Sequence, residues 1–155
     1  MKHSFIALMT DFGEDDFFVA SLKAVILSIN PEARIVDITH QVQSFDVRSA
    51  AFILFSCYKF FPGKTIFLTV VDPGVGSSRR ILLVETKNYF FIAPDNGLLS
   101  FVLENEDSPL IREVTNPRFF LSKSSRTFEA RDKMAPLAAW LSTGMRCSEF
   151  GPQTS

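Results

Sequence analysis

Three short apolar runs separated by two stretches of helical period constrain this chain more than any other feature. "SFIALMT" (4–10) has the length and composition of a buried strand and breaks at Asp11-Phe12-Gly13. From about Phe17, Val19, Leu22, Ile26 and Ile29 recur at helical spacing, and Asn30-Pro31 ends the segment. "ARIVDIT" (33–39) is a second strand. A second helix follows, with Val47, Ala50, Ala51, Leu54, Phe55 and Tyr58 on one stripe, and stops before Pro62-Gly63. "TIFLTVV" (65–71) is the third strand. Strand, helix, strand, helix, strand specifies a parallel sheet covered by helices. "ILLVET" and "YFFIA" flank Lys87-Asn88, a two-residue connection of an antiparallel hairpin. A short helix from about Asn96 to Leu103, a strand over 110–114 and a helix from about Arg131 to Leu141 complete the pattern. The expected fold is a three-layer α/β/α sandwich with a mostly parallel, mixed central sheet.

With 155 residues, of which 46% are hydrophobic and 21% charged, the chain has the composition of one globular domain. Most of its 17 phenylalanines are expected in the core. A net charge of −1 gives no electrostatic argument for a nucleic-acid or anionic-membrane partner. Cys57 and Cys147 lack CxxC spacing and histidine pairing, so they read as reduced thiols. The amino-terminal apolar run is too short for a signal peptide and no 18-residue apolar stretch exists; the expected setting is cytoplasmic.

Three loops follow strands or open helices, where α/β sheets bind ligands. In "TDFGEDDF" (10–17), Asp11 stands at the end of the first strand, a position suited to accepting hydrogen bonds from sugar hydroxyls. Asp15 and Asp16 suggest either a divalent metal or helix capping, and capping is the preferred reading. In "VVDPGVGSSRR" (70–80), a Walker-type phosphate loop is disfavoured, because Arg79-Arg80 runs into a strand and not into a helix. Asp72 and Arg79, seven residues apart across a glycine-rich turn, form either an active-site pair or a surface ion pair. In "SSRTFEARDKMAPLAAW" (124–140), the Ser/Thr cluster precedes a helix whose free N–H groups suit an anion or a polarised water, while Glu129 and Asp132 read as first-turn carboxylates.

Four segments, "LMTDFGEDDFFVASLKAVILSINPEARIVDITHQVQSFDVRSAAFIL", "FPGKTIFLTVVDPGVGSSRR", "YFFIAPDNGLLSFVLE" and "TFEARDKMAPLAAWL", together resemble the amino-terminal domain of the S-adenosyl-L-methionine hydroxide adenosyltransferases. That family is related to the adenosyl-fluoride and adenosyl-chloride synthases. The resemblance implies displacement at the 5′ carbon of S-adenosyl-L-methionine by water or hydroxide, giving adenosine and methionine. It implies a substrate and no separate cofactor or metal. It matches Asp72 and Arg79 to the acid and arginine of an Asp-Arg-His water-positioning triad, and Asp11 to the acid that binds the ribose. Phe45 and Phe128 match aromatic walls of the substrate pocket.

Two departures accompany the match. The hydroxide-type members read Thr-Phe-His-Gly-Arg-Asp where this chain has Thr127-Phe128-Glu129-Ala130-Arg131-Asp132, so Glu129 takes the histidine's place. Beside Asp72 it is expected to have its pKa raised by like charge and partial burial, with Arg79 pulling it back. His3 and His40 do not match the missing histidine, and His40 reads as structural. The family also continues into a carboxyl-terminal β domain and assembles as a homotrimer with substrate between subunits, whereas residues 1–155 correspond to a single α/β domain. The expected function is therefore S-adenosyl-L-methionine hydrolysis. The alternatives are a silent module that binds adenosine compounds or assembles, and, ranked last, an adenosyl-halide synthase.

Overall fold

The computed structural model describes residues 5–122 and 127–155. Its seven-stranded sheet has the order β2-β1-β3-β5-β4-β6-β7. The first four neighbours, β2 (Arg34–Thr39), β1 (Phe5–Thr10), β3 (Ile66–Val70) and β5 (Phe90–Pro94), pair in parallel. β4 (Ile81–Glu85) runs antiparallel to β5 and joins it through a tight turn in which the Thr86 N–H donates to the Tyr89 carbonyl at 2.9 Å. β6 (Leu110–Glu113) and the two-residue β7 (Gln153–Thr154) extend that side antiparallel.

Side chains of alternate sign along each strand split the core in two. On one face Ile6, Leu8, Ile66, Leu68 and Ile92 meet Leu22 and Ile26 of α1 (Phe18–Ile29) and Leu137, Ala138 and Leu141 of α4 (Ala135–Ser142). On the other, Ala7, Met9, Phe67 and Phe91 meet Ala50 and Leu54 of α2 (Val47–Cys57) and Val102 of α3 (Ser100–Asn105). The fold is thus the α/β/α sandwich expected from the sequence, with a mixed sheet. β3 and β5 are buried throughout, as strands covered on both faces must be, whereas edge strand β2 is half-open. Among the described residues no helix is long and apolar enough to cross a membrane.

Three details differ from the pattern reading. The short helix begins at Ser100 and not near Asn96, because Asn96 is committed to a turn: its amide donates to the Val71 carbonyl at 2.8 Å and its oxygen accepts from the Leu98 N–H at 3.2 Å. The strand β7 carries too few residues to show a period. The last helix does not start as a regular α-helix at Arg131; its opening is a π-helical turn, Ala130–Met134.

Candidate active site

The cleft lies at the carboxyl ends of β1 and β3. After β3 the chain folds back on itself: the Val75 N–H donates to the Asp72 carbonyl at 3.3 Å and the Ser77 N–H to the Gly74 carbonyl at 3.0 Å. Gly76 takes φ 78°, a left-handed conformation that glycine reaches without steric cost. The double turn returns Arg79 onto Asp72. The arginine Nε donates to both carboxylate oxygens, at 3.1 and 3.0 Å, and Nη2 donates to Asp72 Oδ2 as well. Their side chains are 11% and 5% exposed, which removes the surface-pair reading.

The same Nη2 donates to Glu129 Oε1 at 2.7 Å, so the two carboxylates share one guanidinium nitrogen. The Gly76 N–H donates to Oε1 at 3.3 Å and the Lys133 ammonium to Oε2 at 2.8 Å. Burial alone pushes the Glu129 carboxyl upward. The hydrogen bonds from Lys133 and Arg79, the Arg79 charge and the Gly76 N–H outweigh it, and hold the group below its ordinary value. The expected upward shift is therefore corrected. Pairwise reasoning about Asp72, Arg79 and Glu129 omitted Lys133, one turn along the same helix. Arg79 in turn loses some basicity to burial and regains more from its two carboxylate partners, so its guanidinium is held charged.

Pro136 explains the turn that delivers both ends of this arrangement. In a regular α-helix the Asp132 carbonyl would accept from the N–H of residue 136, which proline lacks, and the proline ring would crowd that carbonyl. Here the Ala135 N–H reaches back five residues to the Ala130 carbonyl, and the Asp132 carbonyl instead accepts from the Leu121 N–H at 2.9 Å. Asp132 itself is buried, with its side chain on Arg131 at 2.7 Å, and is not a simple first-turn carboxylate on an open helix face.

Asp11, at the end of β1, faces the same cleft. Its Oδ2 accepts from the Phe45 N–H at 2.7 Å, and Phe45 holds φ 62° and is 61% exposed. Asp11, Phe45, Asp72, Phe128 and Glu129 all line one cavity of about 350 Å³, with Ala130 in its wall. Arg79 stands behind this lining and ties the two carboxylates together. Sequence reasoning missed Phe12 and Phe18, which also line the cavity. Their rings meet Phe128 edge-on at centroid distances of 6.0 and 5.1 Å, and Arg131 covers Phe128 at 4.6 Å. The signal for them was the phenylalanine density around Gly13.

Thr127, from the serine/threonine cluster, also lines the cavity, whereas Asp16 and His40 are engaged elsewhere. Asp16 accepts from the Phe18 N–H at 3.1 Å in a turn just before α1, but the N-cap position is Phe17 and no side chain caps the helix, so the capping expectation is corrected. His40 is buried between the Thr10 hydroxyl and the Asp37 carboxylate, each 2.8 Å from a ring nitrogen. Glu14, Asp37 and His40 bring ligand-capable atoms within 4.8 Å of one another, but Asp37 already holds the Lys23 ammonium at 2.7 Å. The Ser124-Ser125 part of the serine/threonine cluster, and His3, lie outside the described residues.

Comparison with known proteins bears on this geometry. The chain is 38% identical over 150 residues to a protein of Salinispora arenicola named (R)-S-adenosyl-L-methionine hydrolase, covering 95% of this chain and 56% of that protein. A protein of the same name from Methanocaldococcus jannaschii is 36% identical over 139 residues, covering 86% of this chain and 51% of the relative. The chain thus spans about half the length of the curated relatives it matches. A crystal structure of an uncharacterized conserved protein from Thermotoga maritima aligns with TM-score 0.94 at 43% identity, over 97% of this chain and 58% of that one. The family model described as the SAM hydroxide adenosyltransferase N-terminal domain matches residues 6–151, and the chain belongs to that family.

Proposed function

We propose that this chain supplies the ribose-binding and nucleophile-positioning part of an S-adenosyl-L-methionine hydrolase. Water or hydroxide forms the new bond to C5′ as the C5′–S bond breaks. The electron pair stays on sulfur, methionine leaves neutral at that atom, and adenosine is released with loss of the water's proton. A sulfonium is already a good leaving group, so the protein's part is to orient the nucleophile, hold the ribose and exclude bulk water. In this reading Asp11 accepts the ribose hydroxyls and Phe45 and Phe128 wall the nucleoside. Asp72, Arg79 and Glu129 form the nucleophile wall, Arg79 fixing the two acceptors. The observation that supports it is the Arg79 Nη2 shared by Asp72 and Glu129 at the rim of the cavity that Asp11 and Phe45 also line. Halide transfer is disfavoured, because a halide in this cavity would lie against the oxygens of two carboxylates whose paired cations, Arg79 and Lys133, already donate to them. The homotrimer, cytoplasmic setting and single-domain span 1–155 belong to the same reading.

A silent adenosine-binding module is the second reading. Both Glu129 oxygens are engaged, by Arg79 and the Gly76 N–H on one and Lys133 on the other, and the carboxylate, unlike a neutral imidazole, has no N–H of its own to donate. Adenosine formed from S-adenosyl-L-methionine, followed by chromatography, separates the two. We expect slow release that is lost in Asp72→Asn and increased by Glu129→His with Ala130→Gly. Binding by the 155-residue chain is expected near millimolar, about −4 kcal/mol. Release unaffected by Asp72→Asn refutes the hydrolytic reading, and no adenosine binding to the folded chain refutes both.

A further inference from the structure

We propose that Lys133 is a positioning residue of this site, whose ammonium fixes the Glu129 carboxylate against Arg79 and the Gly76 N–H and leaves the nucleophile wall without net charge. The inference rests on the function proposed above but goes beyond it, since nothing in the motif match assigns a role to position 133.

Three observations carry it. Lys133 Nζ lies 2.8 Å from Glu129 Oε2, the oxygen that Arg79 does not engage. The lysine has a second contact: its ammonium lies 5.3 Å from the centre of the Phe120 ring. Among the described residues, Lys133 is the one that closes the charge balance. Asp72 and Glu129 face Arg79 from two elements, and Arg79 alone leaves one negative charge in excess beside the space for a nucleophile. Lys133 removes that excess. Asp11 faces the cavity from the end of β1 and is engaged by the Phe45 N–H, while Arg131 and Asp132, on the same turn as Lys133, pair with each other.

The placement depends on the π-helical turn. Glu129 precedes it and Lys133 sits within it, so the widened backbone sets how the two side chains converge. The carboxylate is 7% exposed and the lysine 28%, so the pair is partly shielded from water and Lys133 can be changed without opening the core.

The test is a carbon-detected NMR titration of the Glu129 side-chain carboxyl in the ligand-free 155-residue chain, for the native protein, Lys133→Met, Lys133→Gln and Lys133→Arg. Amide spectra confirm that each variant is folded. The Met and Gln variants are expected to titrate higher by about one pH unit, and the Arg variant within about 0.3 of the native chain. Met and Gln variants that titrate with the native chain overturn the proposal, because Arg79 and Gly76 would then suffice. An Arg variant that rises as far as Met overturns it too, because charge would not be the cause. Adenosine is then added to the same samples. Failure of the native chain to bind it refutes the proposed function, and leaves the titration to decide the role of Lys133.

Discussion

Replacing Arg79 by methionine is the sharpest perturbation this site offers. Among the described residues Arg79 is the one cation that touches both Asp72 and Glu129, and all three side chains are about a tenth exposed or less. Methionine keeps much of the side-chain volume and removes every hydrogen bond. Among the described residues the Asp72 carboxylate then has no donor, while Glu129 keeps Lys133 and the Gly76 N–H. Leaving a buried charge without its partner costs about 3–5 kcal/mol. For a domain of this size each kcal/mol moves the melting temperature by roughly 2–4 °C, so a drop of about 6–20 °C is expected at pH 7. The loss depends on pH with a definite sign. In the native chain Glu129 lies below its ordinary 4.5, so its contribution is present above that value and fades as pH falls through the lowered one. Without Arg79, burial is opposed only by Lys133 and Gly76, the carboxyl accepts a proton more readily, and the gap between native and variant narrows on acidification. Circular dichroism melts of both proteins at pH 7 and about pH 4.5 measure this. A pH 7 drop under about 3 °C, or a gap that widens on acidification, refutes the reasoning.

Gly151→Ala should prevent stable folding or cost several degrees of melting temperature, since its new Cβ would lie 1.8 Å from the Glu113 carbonyl oxygen; Gly63→Ala, with nothing within 4 Å, serves as the matched control and should melt close to the native chain. Adding Lys133→Met to Glu129→His with Ala130→Gly should speed adenosine release beyond the double variant, because an imidazole leaves Lys133 without its carboxylate and next to Arg79; equal rates would show that the lysine does not matter once Glu129 is gone. Burial pushes the Cys147 thiol up to about 12, so iodoacetamide at pH 8 should modify it in the native chain far more slowly than after denaturation, as peptide mass mapping would report.

The layers of this fold were legible because each strand and helix announces its own period. β1, β3 and β5 are short apolar runs bounded by turn residues, and Leu22 and Ile26 or Ala50 and Leu54 repeat at the helical spacing. Asp72 and Arg79 were legible as a pair because only a short glycine-rich turn separates them. Glu129 could be aligned to a site but its neighbours could not. The Gly76 N–H points at it only because Gly76 adopts a positive φ, and Lys133 reaches it only through a turn that is not α-helical. Pro136 was the available signal for that turn. In a helix read as starting near Arg131 it stands at the sixth position, where the carbonyl four residues back loses its donor.

The π-helical turn also acts as a residue counter between the site and the core. α4 is fixed against α1 by Leu137, Ala138 and Leu141, so its register cannot change. Removing one residue from 130–134 together with Pro136→Ala would let the backbone relax to a regular α-helix and rotate everything on its amino-terminal side by about 100° about the helix axis. Glu129 would leave the cleft while the sandwich stayed intact. That paired change would separate foldedness from chemistry more cleanly than a side-chain exchange alone, and a natural sequence one residue shorter at this point and without the proline should carry its nucleophile-facing group one position away.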